Sequence, residues 1–304
     1  MANEAVVPDG KERRRGIVVW ALRLVLGGVF LLSALTKLAG IDQFELYVYS
    51  YGFFSLNTCY LLSRLCIAAE LVVALATWLG AWKRAVRLAT LLLLIFFSLF
   101  LCYAALMGRD ESCQCFGQLV DMNPGQSLLK NALLLLLVMG YYRMVPYEGG
   151  SKVVRIVAVV GGVLLVAVPF VVSVPDNWLF GSHEEPYGRE VLAEAVSDGG
   201  ALAAMEVGNG RRLVAFVTPQ CPYCKLARQK LDAMAKRHGI ESCKVVYVEP
   251  ADIGERRFVE ITFGARPLMM LMDGGRVVRT YHLRNVDEDE VVEFLSGESA
   301  CGDR

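Results

Sequence analysis

Residues 211–224 read RRLVAFVTPQCPYC. Leu213–Val217 is a short apolar run bounded by turn residues, which predicts a buried strand. Thr218-Pro219-Gln220 follows, then Cys221-Pro222-Tyr223-Cys224. Cys221–His238 reads as a helix that stops at Gly239. A Cys-x-x-Cys at a helix start, fed by a strand, has a chemical logic. The first thiol meets the backbone N–H groups and the positive end of the helix dipole, which stabilise a thiolate. The second thiol lies one turn further on, close enough to close a disulfide. The thiolate is the nucleophile in exchange. Cys221 is expected to attack or be attacked, and Cys224 to resolve the mixed disulfide.

The pattern extends on both sides. Arg189–Ala195 has helical spacing, Lys244–Glu249 reads as a strand, and Ile253–Phe263 reads as a helix. Leu268–Met272 and Arg276–Tyr281 flank Asp273-Gly274-Gly275, a hairpin signal. Asp287–Leu295 closes with a helix, giving the order α-β-α-β-α-β-β-α. On these residues the segment from about 187 to 298 resembles a thioredoxin-fold domain, and its Cys-Pro-Tyr-Cys version is the one typical of glutaredoxins. The resemblance implies a cis-proline facing the dithiol. Pro267, in Gly264-Ala265-Arg266-Pro267-Leu268, matches that element, and X–Pro bonds are the ones that become cis at modest cost. It further implies an extended substrate docked by the backbone before this proline, with Pro222, Tyr223 and Arg266 as docking residues. Two departures stand out. Ala215 occupies the position where thioredoxins often bury an Asp, and Thr218-Pro219-Gln220 lacks their Trp. The glutathione-contacting elements of glutaredoxins are not evident, so glutathione is not expected.

A lone Cys-x-x-Cys is also half of a zinc site. The second ligand pair is missing, since His238 and Cys243 do not supply one, and no metal is expected there. Cys243 and Cys301 either form a structural disulfide or stay unpaired. Nine cysteines in 304 residues, most of them in or near segments placed outside a membrane, fit an oxidising compartment.

The N-terminal half is of another kind. The chain is 55% hydrophobic with a mean hydropathy of +0.43, high for a soluble protein, and its formal net charge is zero. No long basic stretch beyond Lys11–Arg15 suggests nucleic acid as a partner. Five stretches are long and apolar enough to span a bilayer: Ile17–Leu38, Leu61–Trp82, Leu88–Met107, Leu128–Val145 and Val153–Val174. The fourth is the weakest, because it is short and begins with Lys130 and Asn131. The first is too long for a signal peptide and is read as retained rather than cleaved. Basic residues 11–15, 83–87 and 143–155 fall in alternate loops, so they mark one side, the cytoplasm. The Ile41–Tyr60 and Gly108–Ser127 loops and everything after Val174 then lie outside. The expected organisation is a cytoplasmic segment 1–16, a four-helix membrane domain 17–145, a fifth helix 146–174, a linker 175–186, the thioredoxin-like domain 187–298 and a tail 299–304. The location is the inner membrane, with the redox domain periplasmic.

Cys113-Gln114-Cys115-Phe116-Gly117 lies in the second outer loop. Two cysteines one residue apart can close a small, strained and easily reduced disulfide. On this topology the pair faces the same compartment as Cys221 and Cys224. Alternatives are a structural staple and a Cu(I) site, since thiolates suit Cu(I). Glu70 lies deep in the second apolar helix, with Arg23 or Lys37 as its partner. It is either a proton or quinone site or a buried ion pair that fixes packing. Cys59, Cys66 and Cys102 are candidates for a second redox station, although Cys59 and Cys66, seven residues apart on a helix, are ~10 Å apart along its axis, too far for a disulfide.

Arg23, Gly27, Phe30 through Lys37-Leu38, Phe44, Glu70 and the Cys-x-Cys-Phe-Gly loop resemble the DoxX/MauE family of small membrane proteins, over about residues 17 to 145. MauE is associated with maturation of a disulfide-rich enzyme subunit, so the resemblance implies redox handling of extracytoplasmic thiols. The whole reads as a multi-pass α-helical membrane bundle plus an α/β thioredoxin-fold domain. The expected function is a membrane-bound thiol–disulfide oxidoreductase. Electrons pass between extracytoplasmic protein thiols, Cys221–Cys224 and Cys113–Cys115, with quinone as a further acceptor. The alternatives are an outward reductive relay and a copper-delivery or assembly factor.

Overall fold

The computed structural model describes residues 10–107, 124–145, 151–175, 178, 186–197, 199–282 and 286–296. Two compact units emerge: Met1–Tyr47 with Leu61–Ser173, and Val48–Tyr60 with Val174–Arg304.

The first unit is helical. Its elements are α1 (Gly10–Ala39), α2 (Ile41–Tyr49), α3 (Leu56–Leu79), α4 (Lys83–Leu106), α5 (Pro124–Met144) and α6 (Lys152–Val172), with α2 and α3 each reaching into residues 48–60. Four of them, α1 from Arg13 and then α3, α4 and α6, are long and apolar enough to cross a membrane. They account for the rows of exposed apolar side chains, such as Leu88, Leu92, Phe96 and Leu99 on α4, which lipid rather than water would cover. Helix α5 matches α6 in length, but Gln126, Lys130, Asn131 and Arg143 dilute its apolar character. Helix α2 falls where the sequence suggests only a loop. Among its buried residues, Phe44 and Glu45 lie three and four beyond Ile41 and Tyr47 three beyond Phe44, a short amphipathic face.

Charge inside this unit is paired, because an isolated buried ion costs several kcal/mol. Lys37 Nζ meets Glu70 Oε1 at 2.5 Å, and both side chains are about 3% exposed. Arg64 pairs with Glu45, and its Nε donates to Ser173 O at 2.7 Å. Gly27 allows α1 to approach the Trp78 ring. A Cβ there would lie 2.1 Å from Trp78 Nε1, so a side chain would displace the indole.

The second unit contains α7 (Arg189–Val196), β1 (Arg211–Phe216), α8 (Pro222–His238), β2 (Val245–Val248), α9 (Pro250–Ile253), α10 (Glu255–Thr262), β3 (Leu268–Asp273), β4 (Arg276–His282) and α11 (Glu288–Ser296). The four strands form one mixed sheet in the order β2-β1-β3-β4. β1 and β2 are parallel, with Phe216 opposite Val248, and β3 runs antiparallel to both β1 and β4. Parallel neighbours need a crossover, and α8 supplies it. The strand residues Val214, Phe216, Val248, Leu268, Met270 and Met272 pack with Phe258 and Ile261 of α10 into the core. The single helix expected over Ile253–Phe263 is interrupted. Gly254 has φ 87°, a conformation that side-chain-bearing residues rarely adopt, and the chain restarts there as α10.

Residues 48–60 group with the C-terminal unit, not with the helical domain to which sequence boundaries assign them. The physical reason is Glu288. Its Oε1 accepts Tyr49 OH at 2.7 Å and lies 2.9 Å from His238 Nε2, and its Oε2 accepts Leu56 N–H at 2.8 Å. Burial pushes the Glu288 carboxyl up, but these hydrogen bonds and the Arg237 charge outweigh it and hold the carboxyl below the usual range. Lys230 Nζ also donates to Tyr60 OH at 3.1 Å.

Candidate redox site

Strand β1 ends at Phe216, and Val217 N–H still bonds to Val248 O. A turn through Thr218 follows, closed by Cys221 N–H donating to Thr218 O at 3.2 Å. Cys221 then caps α8. Its Sγ accepts Cys224 N–H at 3.3 Å, the task an N-cap oxygen usually performs. Pro222 opens the helix, where its missing N–H costs nothing.

Cys221 is half-buried, Tyr223 beside it is 45% exposed, and Cys224 is 2% exposed. Both cysteines are free thiols here. The Arg266–Pro267 peptide bond is cis, and Cys221 Sγ–H points to Arg266 O at 3.9 Å. The backbone before Pro267 thus borders the sulfur that any partner must reach. Arg266 itself lays its guanidinium over Phe258, 5.9 Å from the ring centroid. An accessible outer sulfur and a covered inner one suit stepwise exchange: the outer forms the mixed disulfide, and the inner closes on it.

Burial, and then the hydrogen bond to Cys221, pushes the Cys224 thiol up to about 11, against the lowering influence of Thr218. Thr218 Oγ1 lies 3.8 Å from Cys224 Sγ. Both line a cavity of about 220 Å³ with Arg228 and Glu249, which pair at 2.8 Å. Position 215 is a fully buried alanine in the core. Among the described residues the carboxylate lining the inner sulfur's cavity is Glu249, which the sequence reading missed. Parallel pairing explains its place: Phe216 opposite Val248 sets Glu249 beside the turn that leads to Cys221. The signal lay in the acidic residue directly after the second strand.

Glu70 is partnered by Lys37 and by Ser33 Oγ at 3.1 Å, whereas Arg23 turns away and donates from Nε to Thr77 O at 2.7 Å. Fourteen residues separate Arg23 from Lys37, ~21 Å along one helix, so the two cannot serve the same carboxylate. Glu70 Oε2 is buried without a hydrogen bond and lies beside a cavity of about 30 Å³. That space admits a water-sized body and not a quinone ring.

Cys66 and Cys102 are free thiols, the latter exposed; Cys59 is buried, with its Sγ 3.8 Å from Phe54 O. Cys243 is disulfide-bonded. Cys113, Cys115 and Cys301 lie outside the described residues. Among the described residues no group of three or more His, Cys, Asp or Glu is placed to hold a metal.

Fold and site together define a membrane protein of several helices followed by a small mixed-sheet α/β domain with a Cys-x-x-Cys at a helix start. Residues 15–144 match the family described as "Methylamine utilisation protein MauE". Over 268 residues the chain is 21% identical to "Protein TlpB" of Flavobacterium psychrophilum, a likeness covering 72% of this chain and 73% of that protein. No solved structure matches the chain.

Proposed function

We propose that the protein is a membrane-bound thiol–disulfide oxidoreductase acting on extracytoplasmic protein thiols. One observation carries the reading: Cys221 caps a helix with its sulfur, beside the Arg266 carbonyl and an exposed Tyr223, with Cys224 covered behind it. The family likeness to MauE and the distant likeness to TlpB support a redox role at a membrane.

In the oxidising direction, a client thiolate attacks Sγ of Cys221 in the Cys221–Cys224 disulfide and releases Cys224 as the leaving thiolate. A second client thiolate then displaces Cys221. The client loses two electrons and two protons, and the dithiol gains them. Thr218 and Glu249 handle the proton of Cys224. The Cys113–Cys115 disulfide would take up the electron pair of the Cys221–Cys224 dithiol by the same exchange and become a dithiol itself, and a quinone acceptor would supply the oxidising equivalents that close it again. Run backwards, the same steps reduce clients; direction is a matter of relative potentials. The dithiol domain works in the periplasm, and the N-terminus is cytoplasmic.

The test is to replace Cys224 by Ser in the full chain, in its native membrane, and isolate what stays covalently attached to Cys221. Reducible adducts with secreted proteins and with Cys113 or Cys115 are expected. A thiol at 221 that never enters an adduct sinks the exchange reading. Adducts with clients but none with either loop cysteine sink the internal relay. Trapping of free thiols in cells then reads direction: a resting disulfide at 221–224 fits the oxidase, a resting dithiol the reductive relay.

A further inference from the structure

Inside the helical unit, Glu70 of α3 engages only one of its two carboxylate oxygens. Lys37 Nζ at 2.5 Å and Ser33 Oγ at 3.1 Å both donate to Oε1. Oε2 is buried and has no hydrogen-bond partner among the protein's own groups. The residue as a whole is 2% exposed. A buried ion pair repays the cost of leaving water only when its remaining lone pairs are satisfied as well. An orphaned buried acceptor costs roughly 1–3 kcal/mol, and more when it is charged. A pair that served packing alone would be better built with both oxygens engaged.

Glu70 also borders a cavity of about 30 Å³ between α1, α3, α4 and α5. Asn131 of α5, only 3% exposed, lines the same space, as do Ser33, Lys37 and Lys130. Asn131 Nδ2 donates to Ser98 Oγ at 3.3 Å, and Ser98 Oγ donates in turn to Leu94 O at 2.7 Å. The amide oxygen is therefore the acceptor that Asn131 offers to the cavity. One buried water needs ~10–15 Å³ and about two to four polar partners. This space meets both requirements.

Charge and size select the ligand. The ammonium groups of Lys37 and Lys130 disfavour a cation, and the Glu70 carboxylate disfavours an anion. The volume leaves no room for a ring or a chain. The two acceptors, Glu70 Oε2 and the Asn131 oxygen, call for donors. A small neutral body with two O–H donors is water. We propose that this pocket binds a water molecule that donates to Glu70 Oε2 and to the Asn131 amide oxygen, which makes the carboxylate a hydrated, proton-exchanging group and not a dry packing pair. The water joins the Lys37–Ser33–Glu70 cluster to Asn131 and Ser98, so one hydrogen-bonded network ties α1, α3, α5 and α4 together. A proton arriving through the water adds to Oε2, gives the neutral carboxyl, and returns to the water when it leaves. The site stands apart from the thiol chemistry of the C-terminal unit, in whichever direction that chemistry runs.

The test uses the full chain in lipid nanodiscs prepared in heavy-oxygen water and exposed to a short X-ray pulse. Hydroxyl radicals formed from a bound water label the side chains that touch it, and the heavy oxygen identifies water as the source. Leu94 and Leu134 line the pocket and are at most 7% exposed, whereas Leu71 and Leu101 are as well buried and do not line it. In wild type Leu94 and Leu134 should be labelled severalfold faster than Leu71 and Leu101. Equal labelling of all four overturns the proposal without need of any variant. Asn131→Leu leaves the ion pair in place and fills the space with an apolar side chain, so the excess should disappear. An excess that persists in this variant puts the water elsewhere and overturns the assignment. Proton exchange is read separately by infrared spectroscopy, with the Glu70 carboxylate band isolated as the difference from a variant carrying both Lys37→Met and Glu70→Leu. On transfer to heavy water that band should shift in wild type within the time of mixing. A band unmoved after hours means a dry pair, and the proton-exchange assignment is then wrong.

Discussion

In the C-terminal unit a reactive sulfur stands at a helix start with an exposed aromatic ring beside it. In the helical unit Lys37, Glu70 and Ser33 are each at most 8% exposed. The two arrangements differ in access. Cys221 is half-buried beside an exposed ring, whereas Glu70 borders space for a water-sized body at most. A group that exchanges covalent bonds with proteins must be open on one side. A sealed ion pair fixes packing or carries something as small as a proton. Under the proposed function, the contrast gives the exchange chemistry to the first and a structural or proton-sized task to the second.

The strongest way to break that contrast is Cys221→Ala. It should lower exchange with a disulfide-bonded model protein by on the order of 10⁴-fold or more. Appreciable residual exchange would mean that another thiol, Cys59, Cys66 or Cys102 among them, is the reactive one. Next in size is the sealed pair. Glu70→Gln strands the Lys37 ammonium and should cost roughly 3–5 kcal/mol, read as a lowered melting temperature in detergent. Replacing both, Lys37→Met with Glu70→Leu, should restore most of that stability. If the double variant is stable but the relay through the bundle stops, the pair moves protons; if both persist, it only fixes helices.

Two smaller effects sharpen the open site and its surroundings. Because the Cys224 thiol is pushed up to about 11, resolution of a mixed disulfide at Cys221 is limited by loss of that proton. Glu249→Gln should slow resolution about tenfold or more near neutral pH. The rate in the variant should then climb with pH more steeply than in wild type. Identical pH profiles would remove Glu249 from the proton path. A comparable effect, on stability rather than rate, is expected of Tyr49→Phe, which takes one hydrogen bond from a buried carboxylate and should cost about 1.5–3 kcal/mol. The carboxyl it serves, Glu288, is held below its ordinary range in the folded state. Its contribution is therefore fully present above the unfolded-state value of about 4.3 and is lost as pH falls through the lower folded value. Acid unfolding of wild type should show that loss, and Glu288→Gln should weaken the acid dependence.

Much of the C-terminal unit is legible in the chain because its signals are local. Asp273-Gly274-Gly275 dictates a hairpin, and Pro222 behind a capping residue dictates a helix start. The two places where reading by sequence falls short are of another kind. Gly254 breaks a helix whose apolar spacing runs on across the break, so periodicity alone hides it. Tyr49 and Leu56 join a carboxylate more than 230 positions away, and no window of sequence contains both ends. Glu249 is intermediate: it becomes visible once β1 and β2 are paired in parallel, and not before.

The sequence by itself determined the dithiol, its place at a helix start and the apolar spans, because each depends on residues within a turn or two of one another. Only the tertiary structure decided which cation serves Glu70 and which carboxylate stands near Cys224. Those choices depend on distances across helices and strands. There, a fixed rise of 1.5 Å per residue along each helix rules Arg23 out for Glu70 and leaves it to the Thr77 carbonyl instead.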